Sequence, residues 1–123
     1  MLVSHFTSFQ TYQSQDAWTW EHQALLRARA IIGDKHLTDW FNRVREKILT
    51  RKRGQKALQK EVLVMREKMR TTLSKKSLHG FDLKQDRGGI VDIEFLVQFL
   101  VLLNAHKFNE LVTYSDNVRQ IQA

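Results

Sequence analysis

The strongest constraint on the fold is the segment Phe81–Leu103, in which a polar stretch with a double glycine leads into the most apolar run of the chain. Between Ile90 and Leu103 only Asp92, Glu94 and Gln98 are polar. We predict a loop that feeds a helix. A helix that is apolar on nearly every side is expected in the middle of a bundle, so the rest of the chain should wrap around it.

The double glycine predicts how the loop joins this helix. Gly88 and Gly89 let the backbone turn tightly without a Cβ penalty. Asp92 falls in the first helical turn, where unpaired amides and the helix dipole favour a carboxylate. We therefore expect the loop to be held against the start of the helix.

A strand and a membrane span are the two alternatives to a helix for the apolar run. A strand is the first alternative, because the run is rich in β-branched and aromatic residues, and a short apolar run does not distinguish the period of a strand from that of a helix. The length of the run favours a helix. A membrane span needs about 20 apolar residues, and this run is shorter and is interrupted by Gln98. We therefore predict that the chain does not cross a membrane.

Composition predicts an all-α bundle of about five helices. The 123 residues suit one domain, and the chain has no proline and five glycines, which favours long helices joined by short turns. It has no cysteine, so it forms no disulfide and no thiolate metal site. The lack of cysteine and of a basic-then-apolar leader predicts a cytoplasmic location.

The formal net charge of +7 indicates an anionic partner or simply a solvated basic face. Charges of both signs alternate along the predicted helices, and no exposed aromatic ladder accompanies the lysines. This layout predicts that the partner is not a nucleic acid. A basic helical module that binds nucleic acid remains the alternative.

The helical periods divide the chain into a connector, residues 1–13, and a helical bundle, residues 14–123. We predict that Asp16 caps a helix over Ala17–Ile32 that Gly33 ends, with Trp18, Leu25 and Ile32 buried. Further helices are predicted over Leu37–Thr50 and Gln55–Ser74, and a last one after the capping cluster Ser115-Asp116-Asn117.

Few side chains converge in a catalytic pattern. On a helix Asp92 and Glu94 diverge by roughly 200 degrees, so they are not expected to chelate one ion together. Gly88-Gly89 lacks the context of a phosphate-binding loop, although Lys84, Arg87 and the amides at the helix start could meet an anion. No second histidine or cysteine lies at metal spacing from His22. No metal site is predicted.

Four motifs together are more specific than any one of them: AWTWEHQALLRAR from Ala17 to Arg29, EVLVMREKMR from Glu61 to Arg70, FDLKQDRGGIVDIEFLVQFLVL from Phe81 to Leu102, and SDNVR from Ser115 to Arg119. They closely resemble glutamate-ammonia ligase adenylyltransferase, in the helical domain that follows its C-terminal, adenylylating nucleotidyltransferase domain. The chain is also similar to the helical domain of uridylyltransferases that act on the PII signal protein.

The resemblance implies the activity of a parent enzyme. Enzymes of this family transfer AMP from ATP to a tyrosine of glutamine synthetase, use Mg²⁺, reverse the reaction by phosphorolysis, and respond to glutamine and PII. The family's catalytic sheet, with its aspartate pair, is expected to lie before Met1. We therefore expect the chain alone not to catalyse the transfer and to require neither ATP nor Mg²⁺.

Ten residues fall in the shared motifs. Five are predicted to bind nucleotide phosphates: Arg27, Arg29, Lys84, Gly88 and Gly89. The other five are predicted to position the loop or those cations: Trp20, Glu21, His22, Asp92 and Glu94. An alternative is that these groups form a buried polar network that ties the loop to the first long helix.

Overall fold

The computed structural model describes residues 3–73 and 80–123, and within these ranges it contains helices and no strand. This confirms the all-α prediction and excludes a strand for the apolar run. The helices are α1 (Phe6–Gln15), α2 (Thr19–Arg27), α3 (Lys35–Leu49), α4 (Gln55–Leu73), α5 (Ile90–Asn104) and α6 (Asn117–Gln122), with a 3₁₀ turn at Asn109–Val112. Five of these helices have nine residues or more, as predicted.

Helix α5 contacts more of the other elements than its neighbours do, because α2, α4, α6 and the 3₁₀ turn all pack against it. Its residues Val97, Val101 and Leu102 join the hydrophobic core. Leu26 of α2 and Ile48 of α3 are also at most 2% exposed and complete the centre of that core. Burial of these apolar side chains is the main force that holds the bundle together.

One face of α5 is nevertheless exposed. Ile90, Ile93, Leu96 and Leu100 follow each other at three- and four-residue spacing and are 47–58% exposed. The prediction that this helix would be covered on nearly every side is therefore wrong. The physical reason is that its neighbours leave one stripe of the helix uncovered in the described parts of the chain. Within those parts, no helix is long and apolar enough to span a bilayer.

Helix α2 is shorter than the predicted Ala17–Ile32. Asp16 ends α1 and does not cap α2, which begins after Trp18, where the Glu21 carboxylate accepts the Trp18 backbone N–H at 2.8 Å. The expected burial of Trp18 and Ile32 is wrong as well, since their exposed fractions are 69% and 94%. Both residues lie outside the helix, so the helical period does not apply to them.

Arg45 explains where α2 ends. Its guanidinium donates to the carbonyl oxygens of Leu25 at 3.0 Å and Leu26 at 2.7 Å, which are among the last carbonyls of α2. The chain turns to an extended conformation at Ala28, directly after the helix. Arg45 is only 9% exposed, because it also donates to the Val112 carbonyl at 2.5 Å.

The remaining predicted helices are confirmed with small shifts of their bounds. Helix α3 begins after Asp34, whose carboxylate accepts the Leu37 N–H at 2.9 Å, and α6 begins after Asp116, which caps it in the same way. Helix α4 starts at Gln55 as predicted, while its predicted end at Ser74 lies outside the described residues.

The segment predicted as a connector also contains a helix, α1, which packs on α3. The Phe6 and Trp40 rings meet edge to face with centroids 5.1 Å apart, and Phe9 lies 6.2 Å from the ring of Phe41. Such aromatic pairs add to the stability gained by burial alone. Residues 1 and 2 of the predicted connector lie outside the described residues.

Candidate functional site

The loop before α5 closes onto the start of that helix with backbone hydrogen bonds. The N–H groups of Ile90 and Val91 donate to the carbonyls of Leu83 at 2.9 Å and Lys84 at 3.2 Å, and the Gly89 N–H donates to Asp86 at 2.9 Å. These are the amides that a helix leaves without an intrahelical partner. They are therefore satisfied by the loop itself and not by a ligand.

Each glycine of the pair has its own structural role. Gly88 has φ of +80°, a conformation that other residues avoid. At Gly89 a Cβ would lie 2.6 Å from the Leu83 carbonyl oxygen and 2.9 Å from that of Asp86. Gly89 is thus required by close backbone approach, and Gly88 by the turn.

Asp92 holds the loop against α5, as the sequence predicted. One carboxylate oxygen accepts the Gly88 N–H at 2.7 Å, and the other accepts the Arg66 Nε–H at 2.5 Å. Arg70 lies 3.6 Å from the same carboxylate. The Gly88 hydrogen bond, followed by Arg66 and Arg70, lowers the pKa of Asp92, although burial opposes the shift.

Arg66 of α4 belongs to this region but is not among the ten residues predicted for the site. It is 5% exposed, and it also donates to the Gln85 carbonyl at 2.8 Å. A signal was present in the sequence, since Arg66 continues the four-residue spacing of the buried Leu58 and Val62. An arginine at the same helical spacing as buried apolar residues is expected to be buried, so its guanidinium needs a hydrogen-bond acceptor. The Asp92 carboxylate is that acceptor.

Glu94 and Arg27 form a second cluster. Arg27 donates to Glu94 at 3.0 Å and to the Asn117 side chain at 2.6 Å, so one guanidinium joins α2, α5 and α6. Asp92 faces α4 and Glu94 faces α2, which agrees with the predicted divergence of the two carboxylates on a helix. Asn117 was not predicted as part of any site.

The other two predicted cations, Arg29 and Lys84, are exposed. Arg29 follows the end of α2, and Lys84 lies in the loop before α5. No hydrogen bond or ion pair among the described residues joins Arg27, Arg29 and Lys84 into one group. Their assignment to nucleotide phosphates remains a prediction.

His22 lies in a third cluster and is 3% exposed. Its Nδ1 is 3.0 Å from Arg53 Nη1, and its Nε2 is 2.9 Å from the Gln13 carbonyl oxygen. Because a guanidinium only donates and a carbonyl only accepts, the ring must be neutral with its proton on Nε2. Burial lowers the pKa of His22, and the charges of Arg53 and Arg51 add to that effect.

Glu21 and Trp20 complete the predicted set at the start of α2. Besides the Trp18 N–H, Glu21 accepts the Tyr12 hydroxyl at 2.7 Å, a bond that raises the pKa of Tyr12. Trp20 is 44% exposed and lies beside Glu21 on a surface groove. Glu21 thus joins α1 to α2 at the surface.

The polar contacts form a network, but its partners differ from the predicted alternative. Arg66 ties the loop to α4 and not to the first long helix. Helix α2 is joined to α5 through Arg27 and through a hydrogen bond of 3.0 Å between the buried side chains of Gln23 and Gln98. In the described parts of the chain, no three histidine, aspartate or glutamate side chains are placed to hold a metal ion.

A comparison with protein families matches the first part of this chain. The family model described as glutamate-ammonia ligase adenylyltransferase matches residues 1–44, which contain the first of the four motifs, Ala17–Arg29. The other three motifs lie outside the matched range. Over residues 1–44, the match supports the resemblance to this family that the sequence motifs indicated.

Proposed function

We propose that this chain is a helical accessory domain of an enzyme that transfers AMP from ATP to a tyrosine of glutamine synthetase and removes it by phosphorolysis. The observation that carries the proposal is the family match over residues 1–44. The all-helical bundle supports it, because this is the architecture that the resemblance implies for the domain after the adenylylating one. The parent enzyme would act within nitrogen assimilation, with glutamine synthetase and PII as its protein partners.

The ATP and Mg²⁺ of the proposed reaction belong to the parent enzyme's nucleotidyltransferase domain. The described residues of this chain do not offer Mg²⁺ a group of three carboxylate or histidine ligands, so we assign the ion no step here. Nucleotide phosphates would instead meet the exposed cations Arg29 and Lys84. Charge-assisted hydrogen bonds from such cations are the strong ones for phosphate oxygens.

The contacts of Arg27 and Lys84 support different roles for these two residues. Arg27 bridges three helices, whereas Lys84 is exposed and contacts the rest of the loop through its backbone. We assign Arg27 to the positioning of α2, α5 and α6. We assign Lys84 to the binding of nucleotide phosphates.

Charge reversal in the full-length enzyme tests this division. Lys84→Glu should raise the KM for ATP in the AMP-transfer assay and leave the melting temperature unchanged. Arg27→Glu should lower the melting temperature, because it places two carboxylates against each other at Glu94. Lys107→Glu, an exposed lysine after the end of α5, is the matched control and should change neither quantity.

Two results would contradict the proposal. The first is AMP transfer to glutamine synthetase by this chain alone. The second is a full-length enzyme that retains normal transfer and normal ATP affinity after this segment has been removed. A shift of this chain on generic RNA or DNA that weakens with salt would instead support the basic nucleic-acid-binding alternative.

A further inference from the structure

A cleft of about 280 Å³ lies where the start of α2, the turn after α3 and the start of α4 meet. It is separate from the double-glycine loop before α5, and His22 of the third polar cluster is one of its lining residues. Thr19, Arg51, Arg53, Gly54 and Glu61 are among the residues that line it. Its volume is large enough for a tetrahedral oxyanion.

The two arginines are held at this cleft by neutral acceptors. Arg51 donates to the Ser14 carbonyl at 3.0 Å, and Arg53 donates to the Ile48 carbonyl and to His22 Nδ1, both at 3.0 Å. Among the described residues, neither guanidinium has a carboxylate within ion-pair distance. Both are therefore oriented without having their charge neutralised.

The positive charge at the cleft is a cost to the folded chain. Burial, followed by the charge of Arg51, lowers the pKa of Arg53 to about 10, although the Glu61 carboxylate opposes the shift. His22 offers no relief, because it is bound in its neutral form to Arg53 and Gln13. A bound anion would offset this repulsion, since opposite charges stabilise each other strongly where water is partly excluded.

Helix α4 adds a second source of positive potential. It is 19 residues long and begins directly after Gly54, which has no side chain to cap it. Gly54 and Ala57 of its first turn line the cleft. The unpaired amides and the dipole at such a helix start favour an anion, and here they add to two arginines.

Glu61 lines the same cleft and accepts a hydrogen bond from another residue of the cleft. Its Oε2 accepts the hydroxyl of Thr19, which also lines the cleft. Two guanidinium groups and one carboxylate thus line the cleft. The balance of formal charge at the cleft is positive.

An aromatic groove of about 720 Å³ adjoins the cleft and shares Thr19 and Glu61 with it. Trp18 and Trp20 line this groove and are 69% and 44% exposed. Exposed indole rings next to a basic cleft suit a planar group that carries a phosphate, because aromatic rings stack on tryptophan.

We propose that the cleft is a binding site for a phosphoryl group, whose oxygens are held by Arg51 and Arg53 at the start of α4. This site does not depend on the proposed enzymatic function. The phosphoryl group can be free phosphate or can belong to an aromatic phosphate whose ring lies in the tryptophan groove. The two sources differ in whether the groove contributes to affinity.

Calorimetric titration of the 123-residue chain with inorganic phosphate, phenyl phosphate and phenol tests the proposal. Both phosphates should bind with one site per chain, and Arg51→Gln should weaken them about tenfold, the effect of losing one charge-assisted hydrogen bond. Lys52→Gln is the control, because it removes the same charge from the next residue, which does not line the cleft. The melting temperature of each variant shows that it is folded.

Trp18→Leu separates the two sources. If it weakens phenyl phosphate and not inorganic phosphate, the ligand is a phosphate on an aromatic group. If phenyl phosphate binds no better than inorganic phosphate, the site takes the phosphoryl group alone. The proposal is overturned if neither phosphate binds, if phenol binds as well as phenyl phosphate, or if Lys52→Gln weakens binding as much as Arg51→Gln.

Discussion

Arg45 and Arg66 show at the residue scale how buried cations connect distant parts of this chain. Each guanidinium binds backbone carbonyls from other elements: Arg45 joins α3 to the end of α2 and to Val112, and Arg66 joins α4 to the loop at Gln85. A buried charge that lost such partners would be costly. We therefore expect substitutions at these positions to act on stability.

Arg66→Ala should lower the free energy of unfolding by about 3 kcal/mol, because it leaves the partly buried Asp92 carboxylate without its closest cation. Urea denaturation measures the change. Lys60→Ala, at an exposed position of the same helix, is the control and should stay within about 0.5 kcal/mol of the parent chain. Equal effects of the two substitutions would mean that Arg66 does not hold the loop.

The two adjacent glycines give a sharper comparison. Gly89→Ala forces a Cβ to within 2.6 Å of a backbone oxygen, and only a shift of the loop can relieve this contact. Gly88→Ala meets no atom within 4 Å and costs only its backbone conformation, about 1 kcal/mol. Gly89→Ala should be the more destabilising of the two in urea denaturation, and the reverse order would contradict the described loop.

His22 should make stability depend on pH. Its pKa is lowered in the folded chain from the ordinary value of 6.5, so the unfolded chain binds the proton more tightly. Stability is therefore complete above that value and falls as the pH decreases, by up to about 1 kcal/mol between about pH 7.5 and about pH 5.5. His22→Gln should remove this slope, whereas His36→Gln, at an exposed position, should retain it.

At the scale of elements, α5 has two faces of equal hydrophobicity and unequal burial. Val97 and Val101 lie in the core, while Leu96 and Leu100, each one residue before them, are about half exposed. A sequence in which nearly every position is apolar carries no signal for which stripe is covered. Only the packing of α2, α4 and α6 decides it.

Paired substitutions in α5 test this assignment of faces. Val101→Ala removes buried methyl groups and should cost about 2 kcal/mol of unfolding free energy. Leu100→Ala removes a larger side chain, but one that is 47% exposed, and should cost less than Val101→Ala. Chemical denaturation of the two variants distinguishes them, and a larger loss at Leu100 would place the wrong face of α5 in the core.

The helices themselves could be predicted where the signal is local. Asp34 and Asp116 cap α3 and α6 through their own neighbours in sequence, and the amphipathic period of α3 is clear. The end of α2 could not be predicted, because Arg45 binds its last carbonyls from 19 and 20 residues away. Contacts of this kind depend on the tertiary fold and leave no periodic mark.

At the scale of the whole molecule, contacts within one segment could be predicted from the sequence, whereas contacts between distant segments could not. It predicted that Asp92 holds the double-glycine loop and that Glu94 points elsewhere, since both follow from helix geometry. It did not predict Arg66, Asn117 or the arginine cleft. Arg66 and Asn117 bind partners that are distant in the sequence, and the cleft brings residues 17–22 against residues 51–61, so these groups meet only when the bundle forms.

Labelling of glutamine synthetase with the α-phosphate of ATP tests the central assignment most directly. We predict that the 123-residue chain alone, supplied with ATP and Mg²⁺, transfers no label, and that the full-length enzyme labels a tyrosine with lower ATP affinity after Lys84→Glu. Label transferred by the chain alone, or a full-length enzyme unaffected by removal of this segment, would contradict the proposal that the chain is the helical accessory domain of an adenylyltransferase.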